Sequence, residues 1–260
     1  MPNVIVLGGF VAAATAVSFG WGRALWYFAD RSQAIRRWVF FAMGYTRRSF
    51  SEVRALVLSA IYYSLGLLAS LLLALAFRLP VSSLISFKAS YIALSLLGIA
   101  GEISLANLLI DLSVRLTGTA GPERFAEIRE IPWMKGLYQL PPAVVPVAAA
   151  CGGVVEEIFF RGVVLRVMID RLSIAPMLAI AIAGTLFVFQ QLVQVRTAFQ
   201  AMVIGSGCVA ISLVGGLLVA LTGSALPALI SHGSFVLFFM SQGSKASTNS
   251  YPAKAEITAR

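Results

Sequence analysis

Long apolar runs alternate with short, arginine-bearing polar stretches along most of the chain. Seven runs approach the roughly 20 residues that a helix needs to cross about 30 Å of hydrocarbon. They are Val4–Leu25, Ala55–Phe77, Tyr91–Val114, Pro142–Leu165, Pro176–Val195, Phe199–Leu221 and Ala225–Met240. Lipid offers no partner to a free backbone N–H or C=O, so these segments are predicted as helices, not strands. The expected fold is all-α: a polytopic transmembrane helix bundle of about seven spans, with six to eight possible. The first run lacks the basic n-region of a secretory signal peptide. Its small-residue stretch "AAATA" has the character of a cleavage site, yet a retained first span is expected.

Composition supports this reading. The 260 residues are 59% hydrophobic and only 12% charged, where a soluble domain carries about 25% charged residues. The net charge of +9 does not point to nucleic acid, because the basic residues sit between apolar runs and form no basic helix interleaved with aromatics. They act as orienting charges instead. Fifteen Lys and Arg fall in alternate connections, seven of them between Arg23 and Arg54, against five on the other side. The expectation is a plasma (cell inner) membrane protein with its N-terminus outside and its C-terminus cytoplasmic. In the first basic stretch, "DRSQAIRRWVFFAMGYTRRSFSEVR", the Arg, Trp and Phe content suits either a surface helix contacting anionic lipid or a solvated loop. Cys151 and Cys208 both lie in apolar runs, so no disulfide framework or CxxC site is expected.

One apolar run breaks its own rule. "GGVVEEIFFRGVV" places Glu156, Glu157 and Arg161 inside a predicted span, where each charge costs about 2.5–3.5 kcal/mol even on the lenient insertion scale. Glu157 and Arg161 are four residues apart and can pair on one helix face. Glu156 is rotated from Glu157 by about 100° and points elsewhere. The plain structural alternative is an ion pair that fixes helix register beside a protonated glutamate. Glu102 and Asp111 are two further acids in apolar surroundings. Either both face a common cavity, or Asp111 lies near enough to the membrane edge to reach water.

The pattern EExxxR followed by Gly, with a later Phe-rich helix and a final helix carrying a histidine, resembles the CPBP family of CAAX-protease and bacteriocin-processing membrane proteins, also called Abi. The resemblance runs from about Pro142 to Met240. "LPPAVVPVAAACGGVVEEIFFRGVVLRVMIDRL" looks like the first motif helix, "AGTLFVFQQL" like the second and "GGLLVALTGSALPALISHGSFVLFF" like the third. Nothing in residues 1–140 adds a motif. The chain is therefore divided into N-terminal spans (1–140), a protease-like core (141–241) and a polar, disordered tail (242–260). The resemblance implies a glutamate-type intramembrane endopeptidase. Glu156 would be the base acting on water, Glu157 and Arg161 the supporting pair, and His232 an oxyanion donor. The substrate would be a membrane-anchored or lipid-modified peptide.

Two positions depart from the family pattern. FxxxH starting at Phe187 puts Gln191 where a second histidine belongs, and HxxxN starting at His232 puts Val236 where an asparagine belongs. His232 is the only histidine, so no shifted alignment restores the other. Losing a general-base partner costs about 10²–10⁴-fold and losing an oxyanion donor about 10²–10³-fold, although such losses do not simply multiply. Ser231, Ser234 and backbone amides are candidate substitutes. Glu156, Gln191 and His232 contain two good metal ligands, fewer than zinc requires, so neither a metal nor another cofactor is expected. Gln190, Gln191 and Gln194 can also form an interhelical hydrogen-bond patch, and His232 can bond a neighbouring carbonyl. Three functions compete: an endopeptidase of impaired activity, an inactive pseudoprotease that binds a membrane peptide or regulates a partner, and a small proton-coupled transporter. The last ranks lowest because no paired repeats with broken helices are visible.

Overall fold

The computed structural model describes residues 4–24, 31–118 and 122–248. Among these residues the chain is a helical membrane bundle without strands. α1 (Val4–Phe19) runs into a π-helical turn at Gly20–Ala24, and α2 (Gln33–Thr46) precedes the long α3 (Phe50–Ala76) and α4 (Ser90–Thr117). Two short helices, α5 (Pro122–Arg129) and α6 (Pro132–Leu137), lead into α7 (Val145–Glu157). α8 (Pro176–Leu192), α9 (Ala198–Thr222) and α10 (Leu226–Thr248) complete the bundle. Val4–Gly22, α3, α4 and α9 are long and apolar enough to cross a membrane, while α8 and Leu226–Met240 are shorter apolar helices.

The helix ends follow local chemistry. Ser49 and Glu52 form a reciprocal capping box at the start of α3, and Thr197 and Gln200 do the same for α9. α4 and α9 stop at Gly118 and Gly223, both left-handed, a conformation that a glycine adopts without a Cβ clash. Prolines open α6, α7 and α8, where a missing N–H is harmless.

Some elements differ from the sequence expectation. The basic stretch carries α2, capped by Ser32, with Trp38, Phe41 and Tyr45 exposed and Val39 buried. The connection after α4 contains α5 and α6 instead of a plain loop. The last helix extends through Thr248, into the expected tail, and residues 249–260 lie outside the described residues. The fourth expected span is α-helical only to Glu157. It then continues as π-helix over Ile158–Leu165 and Val167–Arg171.

α9 packs against α4, α8 and α10, and α10 packs against α7 and α4. The π stretch lies in the middle, with every residue from Phe159 to Leu165 buried. This arrangement brings α3, α4, α8, α9 and α10 around the charged part of α7.

Candidate active site

Glu156 and Glu157 are the last two residues of α7 before the π stretch, and they point in different directions. Glu157 is fully buried. Its Oε1 lies 3.1 Å from Arg161 Nη1 and 3.0 Å from His232 Nδ1. Arg161 Nη2 donates to Ser212 Oγ on α9 at 3.0 Å. The guanidinium carbon sits 4.5 Å from the centre of the Phe187 ring, a favourable cation–π contact. The same phenyl ring meets the His232 imidazole edge-on at 6.0 Å between centroids. Phe187, the first residue of the FxxxQ segment, is thus a packing plate shared by the arginine and the histidine.

Small residues let these groups meet. At Gly215 a Cβ would lie 3.4 Å from Glu157 Oε2 and 3.8 Å from Arg161 Nε, so α9 passes directly over the ion pair. At Gly153 a Cβ would lie 3.5 Å from His232 Cδ2 and Nε2. The imidazole therefore rests flat against the backbone of α7, one turn before the glutamates.

Glu156 has a different set of partners. Tyr62 Oη donates to its Oε1 at 2.7 Å, and Gln191 Nε2 donates to the same oxygen at 2.8 Å. Tyr62 is itself held: its ring stacks on Trp21 at 4.7 Å, and Trp21 Nε1 donates to the Tyr62 carbonyl at 2.9 Å. Neighbouring Tyr63 donates its hydroxyl to the Ala148 carbonyl at 2.5 Å, tying α3 to α7.

Glu156, Gln191 and His232 line one cavity of about 230 Å³. Tyr62 and Tyr63 face it from α3, whereas α9 and α10 present Ile204, Cys208, Phe235 and Phe239. The lining is mostly apolar, with the polar groups of Tyr62, Tyr63, Glu156, Gln191 and His232 set into it. Trp133, Met134 and Leu137 of α6 border the cavity, as do Arg54 and Gln139. Glu157 and Arg161 are not among its lining residues. They form a second, fully buried layer behind it.

Residues 138–238 match the family model described as Type II CAAX prenyl endopeptidase Rce1-like. That segment is similar to the Rce1-like family. Neither a curated protein nor a solved structure matches the chain. The Rce1-like segment supplies Glu156, Glu157, Arg161, Phe187, Gln191, Ser212 and His232, all within the matched range.

Several candidate residues take positions that the sequence left open. Val236, at the place of the missing asparagine, lines the cavity and offers no donor. Ser231 and Ser234 are absent from the lining, so neither serine replaces it. Glu102 and Asp111 do not share a face: nine residues at about 100° each leave them half a turn apart. Glu102 is completely buried between α4 and its neighbours. Asp111 is exposed and pairs with Arg115 at 2.9 Å. Gln190 is buried next to Gly22, whose Cβ position is 3.4 Å from its Cγ. Among the described residues no group of three His, Cys, Asp or Glu side chains stands close enough to hold a metal.

Tyr62 lies outside the Rce1-like segment, in the region that adds no motif to the sequence. The only hint is the pair of tyrosines in the middle of an otherwise aliphatic span, "LSAIYYSLGLL". A buried phenol in lipid needs a hydrogen-bond partner, and an acid elsewhere in the bundle is a natural one.

Proposed function

We propose that this membrane protein is a CAAX-protease-like, glutamate-type intramembrane endopeptidase of reduced activity, acting on a membrane-anchored or lipid-modified peptide. One observation carries the reading: Glu156 and His232, 76 positions apart in the sequence, face the same cavity. Glu156 would take the proton of an attacking water while Tyr62 and Gln191 hold its carboxylate in place. His232, tethered through Nδ1 to Glu157, turns Nε2 away from that acid. Doubly protonated it donates a hydrogen bond from Nε2; singly protonated at Nδ1 it accepts one there. Glu157 and Arg161 are buried, outside the lining, and serve to position the imidazole. A mostly apolar lining with a few polar groups set into it suits a ligand with a peptide part and a hydrocarbon part.

A specific observation also favours the second reading, a pseudoprotease that binds such a peptide without cutting it. Both donors to Glu156 converge on one oxygen, and Val236 leaves the position opposite without a donor. The two readings separate in proteoliposomes holding a membrane-anchored reporter peptide. The wild type is expected to cleave it slowly, and Glu156→Gln to lose about 10²-fold or more of that rate. Equal rates for both proteins, together with retained peptide binding, would replace the enzyme by the binding protein.

We also propose that α2 lies on the cytoplasmic surface of the plasma membrane. Arg36 and Arg54 line a concavity between α2 and α3, and Trp38, Phe41 and Tyr45 are exposed beside it. Cationic and aromatic groups in this arrangement suit an anionic leaflet. In that orientation, which the fifteen-to-five split of basic residues favours, substrate enters beside α6 from the cytoplasmic leaflet.

A further inference from the structure

Behind the Glu157–Arg161–His232 layer stands a third acid that the proposed chemistry does not use. Glu102 on α4 has no exposed surface, and among the described residues neither of its carboxyl oxygens has a hydrogen-bond partner. Ser231 Oγ on α10 and Glu157 Oε2 on α7 are likewise buried and unpartnered among those residues. Four polar oxygens in one place, all without partners, are exceptional in a folded interior.

The helix packing explains why they converge. Gly98 lies one turn before Glu102, and a Cβ there would come within 2.9 Å of Ser231 Oγ and 2.7 Å of Leu218 Cδ1. Gly101, immediately before Glu102, approaches Val214 of α9, with a Cβ position 3.6 Å from Val214 Cγ2. The next residue of α9, Gly215, is the one against which Glu157 Oε2 rests. Ser231 stands close to the Glu102 carboxyl without reaching hydrogen-bond geometry, and His232, Glu157 and Arg161 lie within electrostatic reach of it. α4, α9 and α10 thus close on each other at glycines and bring Glu102, Ser231 and Glu157 near one another.

We infer that Glu102 and Ser231 hold an internal water that also bonds Glu157 Oε2, which makes Glu102 a positioning residue for the Glu157–His232 pair. A buried water requires two to four polar partners, and this set supplies them. Arg161 and His232 both engage Oε1 of Glu157 and leave its plane able to swivel about that oxygen. A water on Oε2 removes the freedom, and the imidazole follows the carboxylate. The inference takes the Glu157–His232 pair as part of the site, but its test reads the histidine directly and does not depend on cleavage.

Because His232 is the only histidine, histidine-selective nitrogen labelling of the full chain in detergent micelles gives one imidazole spectrum. In the wild type a single tautomer with Nδ1 on Glu157 is expected. In Ser231→Ala and Glu102→Leu the Nδ1 resonance shifts and the ring samples both tautomers, while Glu102→Gln, which can still bond a water, keeps most of the wild-type spectrum. Unchanged spectra in Ser231→Ala and Glu102→Leu, both folded by thermal melting, overturn the inference. Should Glu102→Leu not fold, Ser231→Ala and Glu102→Gln decide the matter alone. A crystal structure gives the second readout: ordered water within hydrogen-bond distance of Glu102, Ser231 and Glu157 supports the inference. A dry, direct Glu102–Ser231 bond sinks it. Loss of peptidase activity with the spectra as expected would end the enzymatic reading and leave this one standing.

Discussion

At Glu157 the buried carboxylate meets a guanidinium and an imidazole, and removing one partner exposes the expense of burying the rest. Arg161→Met is therefore expected to lower stability by about 3–5 kcal/mol, measured by denaturant unfolding in mixed micelles. The double variant Glu157→Leu/Arg161→Met recovers part of the loss, since no buried carboxylate is left without its guanidinium, and the remainder reflects His232 Nδ1 losing its partner. Tyr62→Phe tests the other glutamate. It keeps the ring on Trp21 but deletes one of the two donors to Glu156 Oε1, an interaction with a charged acceptor of about 1.5–3 kcal/mol. The expected outcome is a fall of that order in unfolding free energy, with a further loss of reporter cleavage. The Glu157–Arg161 pair is legible in the sequence because a four-residue spacing puts both groups on one helix face. The Tyr62–Glu156 bond is not legible: it joins residues 94 positions apart, and no periodicity connects them.

Among the elements, α7 departs most from a reading by hydropathy. Its apolar run predicts one span, but the helix widens to π geometry directly after the two glutamates. Such widening often accompanies functional sites, and here all seven consecutive residues from Phe159 to Leu165 are buried. Composition carries no signal for it, because the i→i+5 pattern is chosen by the helices packed around α7. α5 and α6 were equally hidden, being too short and too polar for an apolar-run search. The long helices α3, α4 and α9 were plain from length and hydropathy. Contacts that the helices make depend on small residues, and Gly66 of α3 is the tightest case: a Cβ there would lie 2.3 Å from Trp21 Cζ2 and 2.5 Å from Val155 Cγ1. Gly66→Ala is expected to destabilise the fold by about 1–3 kcal/mol through overpacking. A lowered midpoint in thermal unfolding would show this, and an unchanged midpoint would mean that Trp21 has room to move.

For the whole molecule, the distribution of basic residues makes a claim about sidedness that can be read without any knowledge of activity. In a variant with Cys151 and Cys208 replaced by Ala, a single cysteine at Thr46, on the exposed end of α2, is expected to react with an impermeant maleimide only when the cytoplasmic face is open. Labelling of intact cells from outside would reverse the orientation, and with it the leaflet proposed for peptide entry. Dependence on the first helix is a separate matter. Trp21 holds Tyr62, and Tyr62 holds the acid that faces the cavity, so the segment recognisable as protease-like is not self-sufficient. Grafted onto other N-terminal helices, it would keep every motif residue yet lose the phenol that orients its carboxylate. Chimeras cut at a family boundary near residue 138 would then fold around an unsteered acid, and the place to cut such a protein lies ahead of its first tryptophan.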